Sequence, residues 1–173
     1  MKIRSSVAVA CMVAGAIAAS SAFAIDYPAR KPGLWEIQTG DATGKGAGHT
    51  VQQCIDAASD KALRDMGQGM GKDMCAKQDL RIESGKLVMD SVCKIGTTTA
   101  TSHAVMTGDF SSTYRMESKS TYNPPLMGRT EGTSVMEARW VGPCKPGQKP
   151  GDMVMSNGMT MNVLDMMGAR GKK

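Results

Sequence analysis

The sequence predicts a mainly β protein: an antiparallel meander of about seven strands, curved into a half-barrel or closed barrel, with one helix inserted at about residues 56–66 and two disulfides. Three observations carry this expectation. Side chains alternate in character with a period of two through long stretches after Cys75, short turn sequences rich in Gly, Pro and Asn separate those stretches, and four cysteines remain once an export signal is set aside. A β-sandwich is the competing architecture.

The export signal occupies residues 1–24. Lys2 and Arg4 form a basic start, Val7 to Ala18 an apolar stretch, and Ala22-Phe23-Ala24 a small-x-small cleavage site. Cleavage after Ala24 is expected to release a periplasmic protein, with a β-rich domain over residues 25–151 and a Met-rich, partly ordered tail over 152–173. The apolar stretch falls short of the ~20 residues that cross a bilayer, and no second one follows, so no transmembrane segment is expected. A lipid anchor would need a cysteine at the cleavage point, and Cys11 has only about half an apolar stretch before it. Removing Lys2 and Arg4 lowers the formal charge from +5 to +3. The remaining charges are interspersed except for Arg170, Lys172 and Lys173, so there is no basic stripe and nucleic acid is not an expected partner.

Along the chain, Gly33 to Thr39 and His49 to Cys54 read as two strands joined by a Gly-rich loop. Asp56 to Met66 is the one expected helix: Asp56 or Ser59 can cap it, Ala57, Ala58 and Ala62 favour it, and Gly67 is read as its end. A hairpin follows around Ser84-Gly85, then a Thr-rich strand from Thr97 to Thr107. Phe110 to Tyr122 alternates most clearly, with Phe110, Ser112, Tyr114, Met116, Ser118, Ser120 and Tyr122 on one face. From Thr130 to Val141 the pattern repeats, placing Gly132, Ser134, Met136, Ala138 and Trp140 inward. Further turns are read around Gly96, at Gly108-Asp109, and from Asn123-Pro124-Pro125 through Gly128. Connections this short join antiparallel neighbours.

The cysteines Cys54, Cys75, Cys93 and Cys144 are expected to form disulfides in an oxidising compartment. A two-residue Ser84-Gly85 turn aligns Leu80 and Ile82 with Leu87 and Met89 but leaves Cys75 one position out of register with Cys93. A bulge near Cys93 reconciles the two requirements. Cys144 leaves the last strand at the other end, so the expected pairs are Cys75–Cys93 and Cys54–Cys144. No pair has the Cys-x-x-Cys spacing of a redox or zinc site.

Chemistry is sparse. His49 and His103 lack ligand-type neighbours at metal spacing, no Gly-x-Ser-x-Gly elbow is present, and the carboxylates fall on outward strand faces, so no catalytic residue is named and no enzyme is expected. Methionine is the anomaly. Met153, Met155, Met159, Met161, Met166 and Met167 crowd the region from 153 to 167, and Met66, Met70 and Met74 form a Gly-spaced cluster. Thioethers bind soft cations without losing a proton, so Met153, Met155, Met159 and Met161 are candidate copper ligands; packing as adaptable filler is the plainer alternative. The inward faces of the last strands are rich in small residues, punctuated by Tyr114, Tyr122, Met136 and Trp140. Such a face can enclose a cavity, which makes these four the candidate contacts for a small apolar ligand.

Pro32-Gly33-Leu34-Trp35-Glu36, Val51-Gln52-Gln53-Cys54 before a helix, the Cys75 to Cys93 hairpin, and Arg139-Trp140-Val141-Gly142-Pro143-Cys144 together resemble the domain of unknown function 3617 family. The resemblance spans nearly all of the chain after the signal. It implies a small exported protein of Gram-negative bacteria with one β-rich domain, and it brings no established activity and no catalytic residues. Trp35 and Trp140 are the expected core anchors, able to join the first and last strands if the barrel closes. The functional expectation is a non-enzymatic binding or envelope-associated domain, its partner a small apolar ligand or an envelope protein, with copper binding by the tail as the alternative.

Overall fold

The structure is a computed structural model that describes residues 27–41 and 48–170; the expected signal, residues 1–24, lies outside them. The chain is mainly β, with strands β1 (Gly33–Asp41) and β2 (His49–Ile55), helix α1 (Ala57–Met74), then β3 (Cys75–Glu83), β4 (Lys86–Ile95), β5 (Thr98–Gly108), β6 (Thr113–Leu126) and β7 (Arg129–Gly142). Two short strands, β8 (Asp152–Met155) and β9 (Thr160–Asn162), and a second helix, α2 (Val163–Arg170), complete it.

All nine strands belong to one antiparallel sheet in the order β3-β4-β5-β6-β7-β1-β2-β8-β9. Strands β3 to β7 form the expected meander, but two expectations fail. Among the described residues the strand count is nine instead of seven, because residues 152–162 add a hairpin to the sheet at β2, with Gln53 opposite Met153 and Val51 opposite Met155. The sheet is also not closed into a barrel. β1 lies beside β7, and β8 occupies the free side of β2, so β2 never meets β3. β3 and β9 are therefore edges. Along β3, Lys77, Asp79, Arg81 and Glu83 supply the charge that discourages edge-to-edge association.

The turns show why the hairpins form. Ser84 and Gly85 both take positive φ, 50° and 76°, and Met127 and Gly128 do the same at 50° and 80°. Paired left-handed residues give the two-residue turns whose twist matches that of the strands they join. The turn after β6 is thus confined to Met127-Gly128, and the strand runs on through Asn123, Pro124, Pro125 and Leu126, where the pairing with β7 slips. Proline lacks an N–H for the ladder, and a slipped register is where it can be accommodated. The start of β6 differs as well. Phe110 sits at φ 57°, and the Asp109 carboxylate accepts the N–H groups of Ser111, Ser112 and Thr113, so a tight loop replaces the expected first strand residues.

Helix α1 starts where expected and ends later. Asp56 caps it through a reciprocal box in which Ser59 N–H donates to Asp56 Oδ1 at 2.8 Å and Asp56 N–H donates to Ser59 Oγ at 2.9 Å. It continues through Gly67, Gly69 and Gly71 to Met74. Each glycine costs helix stability, roughly 1 kcal/mol relative to alanine, but the far end is anchored: Cys75 N–H donates to Gly71 C=O and Cys75 enters β3 at once. A Cβ at Gly71 would lie 2.2 Å from the amide end of the Gln78 side chain, which would have to swing aside.

Both expected disulfides are present, Cys54–Cys144 and Cys75–Cys93. Cys75 faces Cys93 while Lys77 faces Val92 and Leu80 faces Met89, so the extra residue that reconciles turn and disulfide is Ala76 on β3. The core gathers Trp35, Ile37, Ile55, Tyr114 and Ala138, with Leu63, Met106, Phe110, Met136 and Trp140 packed against it. Trp35 and Trp140 are direct partners across β1 and β7. Each indole N–H is satisfied by backbone, Trp35 by Lys31 C=O at 2.8 Å and Trp140 by Pro32 C=O at 3.0 Å.

Candidate functional site

The core face of the sheet does not pack fully against α1. Between them, with residues 27–30 crossing over, lies a cavity of about 700 Å³. Its walls come from nearly every element: Ile37 of β1, Leu80 of β3, Met89 of β4, Met106 of β5, Tyr114 of β6, Met136 of β7, and Leu63 of α1. The period of two explains this lining. Met106, Met116 and Met136 are opposite one another across β5, β6 and β7, as are Leu80 and Met89 across β3 and β4, so one row of flexible apolar side chains faces the helix. The size falls within the ~300–1,000 Å³ of small-molecule sites, which share this apolar lining with a few fixed polar groups.

Those polar groups are Arg30, Gln53, Arg64, Gln68, Lys72 and Gln78. Two of them, Arg30 and Arg64, meet at Asp60, whose side chain is only 1% exposed. Arg30 Nε donates to its Oδ1 at 2.7 Å and the Arg30 backbone N–H to Oδ2 at 3.1 Å, while Arg64 Nε lies 3.4 Å from Oδ2. Arg30 Nη1 also donates to Gln53 Oε1 at 2.9 Å and reaches Tyr114 Oη at 3.4 Å, and Arg64 Nη1 donates to Tyr27 C=O at 2.7 Å. One carboxylate thus faces two guanidinium groups beside an apolar cavity. Burial is the main reason the phenols of Tyr27 and Tyr114 are pushed above their ordinary pKa, so both stay neutral donors. Phe110 stacks on Tyr114 with ring centroids 5.1 Å apart and closes one end.

Of the four side chains expected to contact a ligand, the structure brings two to this cavity. Tyr114 and Met136 line it. Tyr122 sits farther along β6 with its ring over Gly132, and Trp140 packs beneath Lys31, whose Nζ lies 3.6 Å from the ring centroid. Arg30, Asp60 and Arg64 were not anticipated. The Asp60 to Arg64 spacing of four residues on a helix is a legible pairing signal, whereas Arg30 precedes β1 in a segment with no periodicity. An open trough of about 920 Å³ lies over the other face of the sheet. Within it Asp90 lies 2.7 Å from His103 Nδ1 and Ser102 bonds Ser120, and Val92 is the one large apolar residue of its lining.

The candidate metal ligands are no longer on loose chain. Met153 and Met155 belong to β8, Met161 to β9, and Met159 ends the turn between them. Among the described residues, no group of three or more His, Cys, Asp and Glu is placed to hold a metal ion, and no helix is long and apolar enough to cross a membrane.

A family model described as protein of unknown function (DUF3617) matches residues 30–144. The chain belongs to this family. No curated protein matches it significantly. The matched DUF3617 region runs from Arg30 to Cys144 and so contains α1, both disulfides, the Arg30–Asp60–Arg64 cluster and every strand that walls the cavity; β8 and β9 lie after it.

Proposed function

We propose that this DUF3617 protein is a non-enzymatic binding domain of the periplasm, exported by a signal cleaved after Ala24, that holds an amphipathic small molecule between α1 and the sheet. The apolar body of the ligand lies along Met89, Met106 and Met136, and its anionic end meets Arg30, Arg64 and Lys72. The observation that carries this reading is the pairing of an apolar cavity with a buried cluster in which two guanidinium groups share one carboxylate. Guanidinium and ammonium groups in a poorly solvated place attract an anion far more strongly than they would in water. Methionine walls suit the role, because unbranched thioethers adapt to ligands of different outline. Two disulfides support the assignment to an oxidising compartment.

Native mass spectrometry of protein purified from periplasm tests the proposal. The expected result is a co-purifying small molecule that is acidic after extraction and is absent from a Met136→Trp variant, whose larger side chain intrudes on the apolar wall of the cavity. A bare apo mass for the native protein, together with no uptake of any anionic amphiphile offered, contradicts it.

A further inference from the structure

The β8–β9 hairpin carries chemistry that the cavity does not use. Met153 is the direct partner of Met161, and one step toward the turn Met155 N–H donates to Met159 C=O at 2.8 Å. Side chains two apart on a strand share a face, as do directly opposed ones. Met153, Met155, Met159 and Met161 therefore occupy one face of the hairpin as two cross-strand pairs. The opposite face holds no methionine: Asp152 and Asn162 are bonded to each other at 2.8 Å, and Val154 faces Thr160.

We propose that this face is a soft-metal site in which the thioethers of Met153, Met155, Met159 and Met161 bind one Cu(I) ion. With opposed Cβ atoms ~5 Å apart and successive same-face residues ~7 Å apart, each Cβ lies about 4 Å from the centre of the rectangle. A methionine side chain spans that distance through three rotatable bonds, so four sulfurs can converge on one point above the hairpin. Thioethers are neutral, soft donors; they select a soft monovalent ion over Mg, Ca or Zn and give up no proton on binding. No redox step is involved, since the ion enters and leaves as Cu(I).

The hairpin is held firmly enough to present such a site. Gly151 N–H donates to Cys54 C=O at 2.8 Å beside the Cys54–Cys144 disulfide, and Val163, fully buried, donates its N–H to Gly151 C=O at 2.9 Å. Asn162 Oδ1 accepts the Leu164 N–H at 2.9 Å and so starts α2 directly after β9. The four ligands also span a gradient of access. Met153 is 8% exposed and Met159 is 54% exposed, so an ion can be taken up from solvent at Met159 and passed inward. Met153 Sδ accepts a weak bond from Gln53 Nε2 at 3.7 Å and keeps a second lone pair for the metal.

The test is an anaerobic titration of the oxidised protein with Ag(I), a soft ion that needs no reductant and so spares the disulfides, followed by native mass spectrometry and methionine-methyl NMR. We expect one Ag(I) per chain, displaced by Cu(I) supplied as its acetonitrile complex, with methyl shifts centred on Met153, Met155, Met159 and Met161. Met153→Leu with Met161→Leu weakens binding by at least about tenfold, the equivalent of losing about 1.4 kcal/mol. The exposed single change Met159→Leu gives the same direction without risk to the fold, and Met66→Leu with Met70→Leu on α1 leaves binding unchanged. No stoichiometric complex, failure of Cu(I) to displace Ag(I), or equal affinity in the hairpin variants overturns the proposal. The cavity ligand is unaffected by either result.

Discussion

Replacing Asp60 by asparagine probes the charge cluster at the cavity while hardly changing side-chain volume. In the native protein the buried carboxylate sits 2.7 Å from Arg30 Nε and 3.4 Å from Arg64 Nε. Unit charges ~4 Å apart attract by about 4 kcal/mol at an effective dielectric constant near 20, and two such attractions offset the several kcal/mol that desolvating each ion costs. The Asp60→Asn variant keeps the Arg30 and Arg64 guanidinium groups and removes the buried carboxylate they share. It also turns an amide N–H₂ toward donors that need an acceptor. Breaking one side of a buried pair costs about 3–5 kcal/mol, a large part of the ~5–15 kcal/mol that stabilises an ordinary domain. Urea unfolding of the oxidised protein at pH 7 measures it as a fall in midpoint at unchanged slope. A loss below about 1 kcal/mol, typical of exposed ion pairs, would refute the argument that the cluster is desolvated and strongly coupled.

Three further outcomes follow from the same geometry. The Cys54–Cys144 bridge spans a sequence separation of 90 and Cys75–Cys93 one of 18; loop-closure entropy predicts losses of about 4.6 and about 3.2 kcal/mol for the paired Cys→Ser variants, so calorimetry should rank the first as the more destabilised. Gly33→Ala places a Cβ 2.5 Å from both Gly142 C=O and Trp140 Nε1 at a φ of +131°, and strain plus displaced packing should cost about 2–4 kcal/mol in thermal unfolding, whereas Gly85→Ala, with open space around it, should cost less. Hydrogen bonds from Ser112, Thr113 and Ser111 hold the Asp109 carboxyl far below its ordinary value of 3.8. Because its folded pKa is the lower one, its stabilisation is complete above pH 3.8 and is lost as the pH falls toward the folded value; Asp109→Ala should lower stability at pH 7 and flatten the acid limb of a stability profile.

The sequence was most legible where one local rule set the geometry. Ser84-Gly85 fixed the β3–β4 register closely enough that the cysteine mismatch exposed the bulge now seen at Ala76, and the position of Cys144 after the last strand then left it to Cys54. Legibility failed where tertiary contacts overrode local preference. Gly67, Gly69 and Gly71 argue for ending a helix at Met66, yet α1 continues because its far end is tied into β3 and the Cys75–Cys93 bridge. The Trp35–Trp140 pairing of β1 with β7 was legible from the two tryptophans, but nothing in the period of two says that a further hairpin will take the free side of β2 and leave the sheet open. Strands of four and three residues are too short to show a period, so β8 and β9 read as tail. For the site, alternation located Tyr114 and Met136. It could not reveal the cationic end, because Arg30, Asp60 and Arg64 meet only after α1 folds back over the sheet.

Methionine-methyl NMR of the oxidised protein, titrated in parallel with dodecanoate and with dodecyltrimethylammonium, tests the central claim most directly. The account predicts saturable shifts at Met89, Met106 and Met136 with the anionic amphiphile, and much weaker ones with the cation. Unmoved cavity methyls, or equal responses to both head groups, would contradict it.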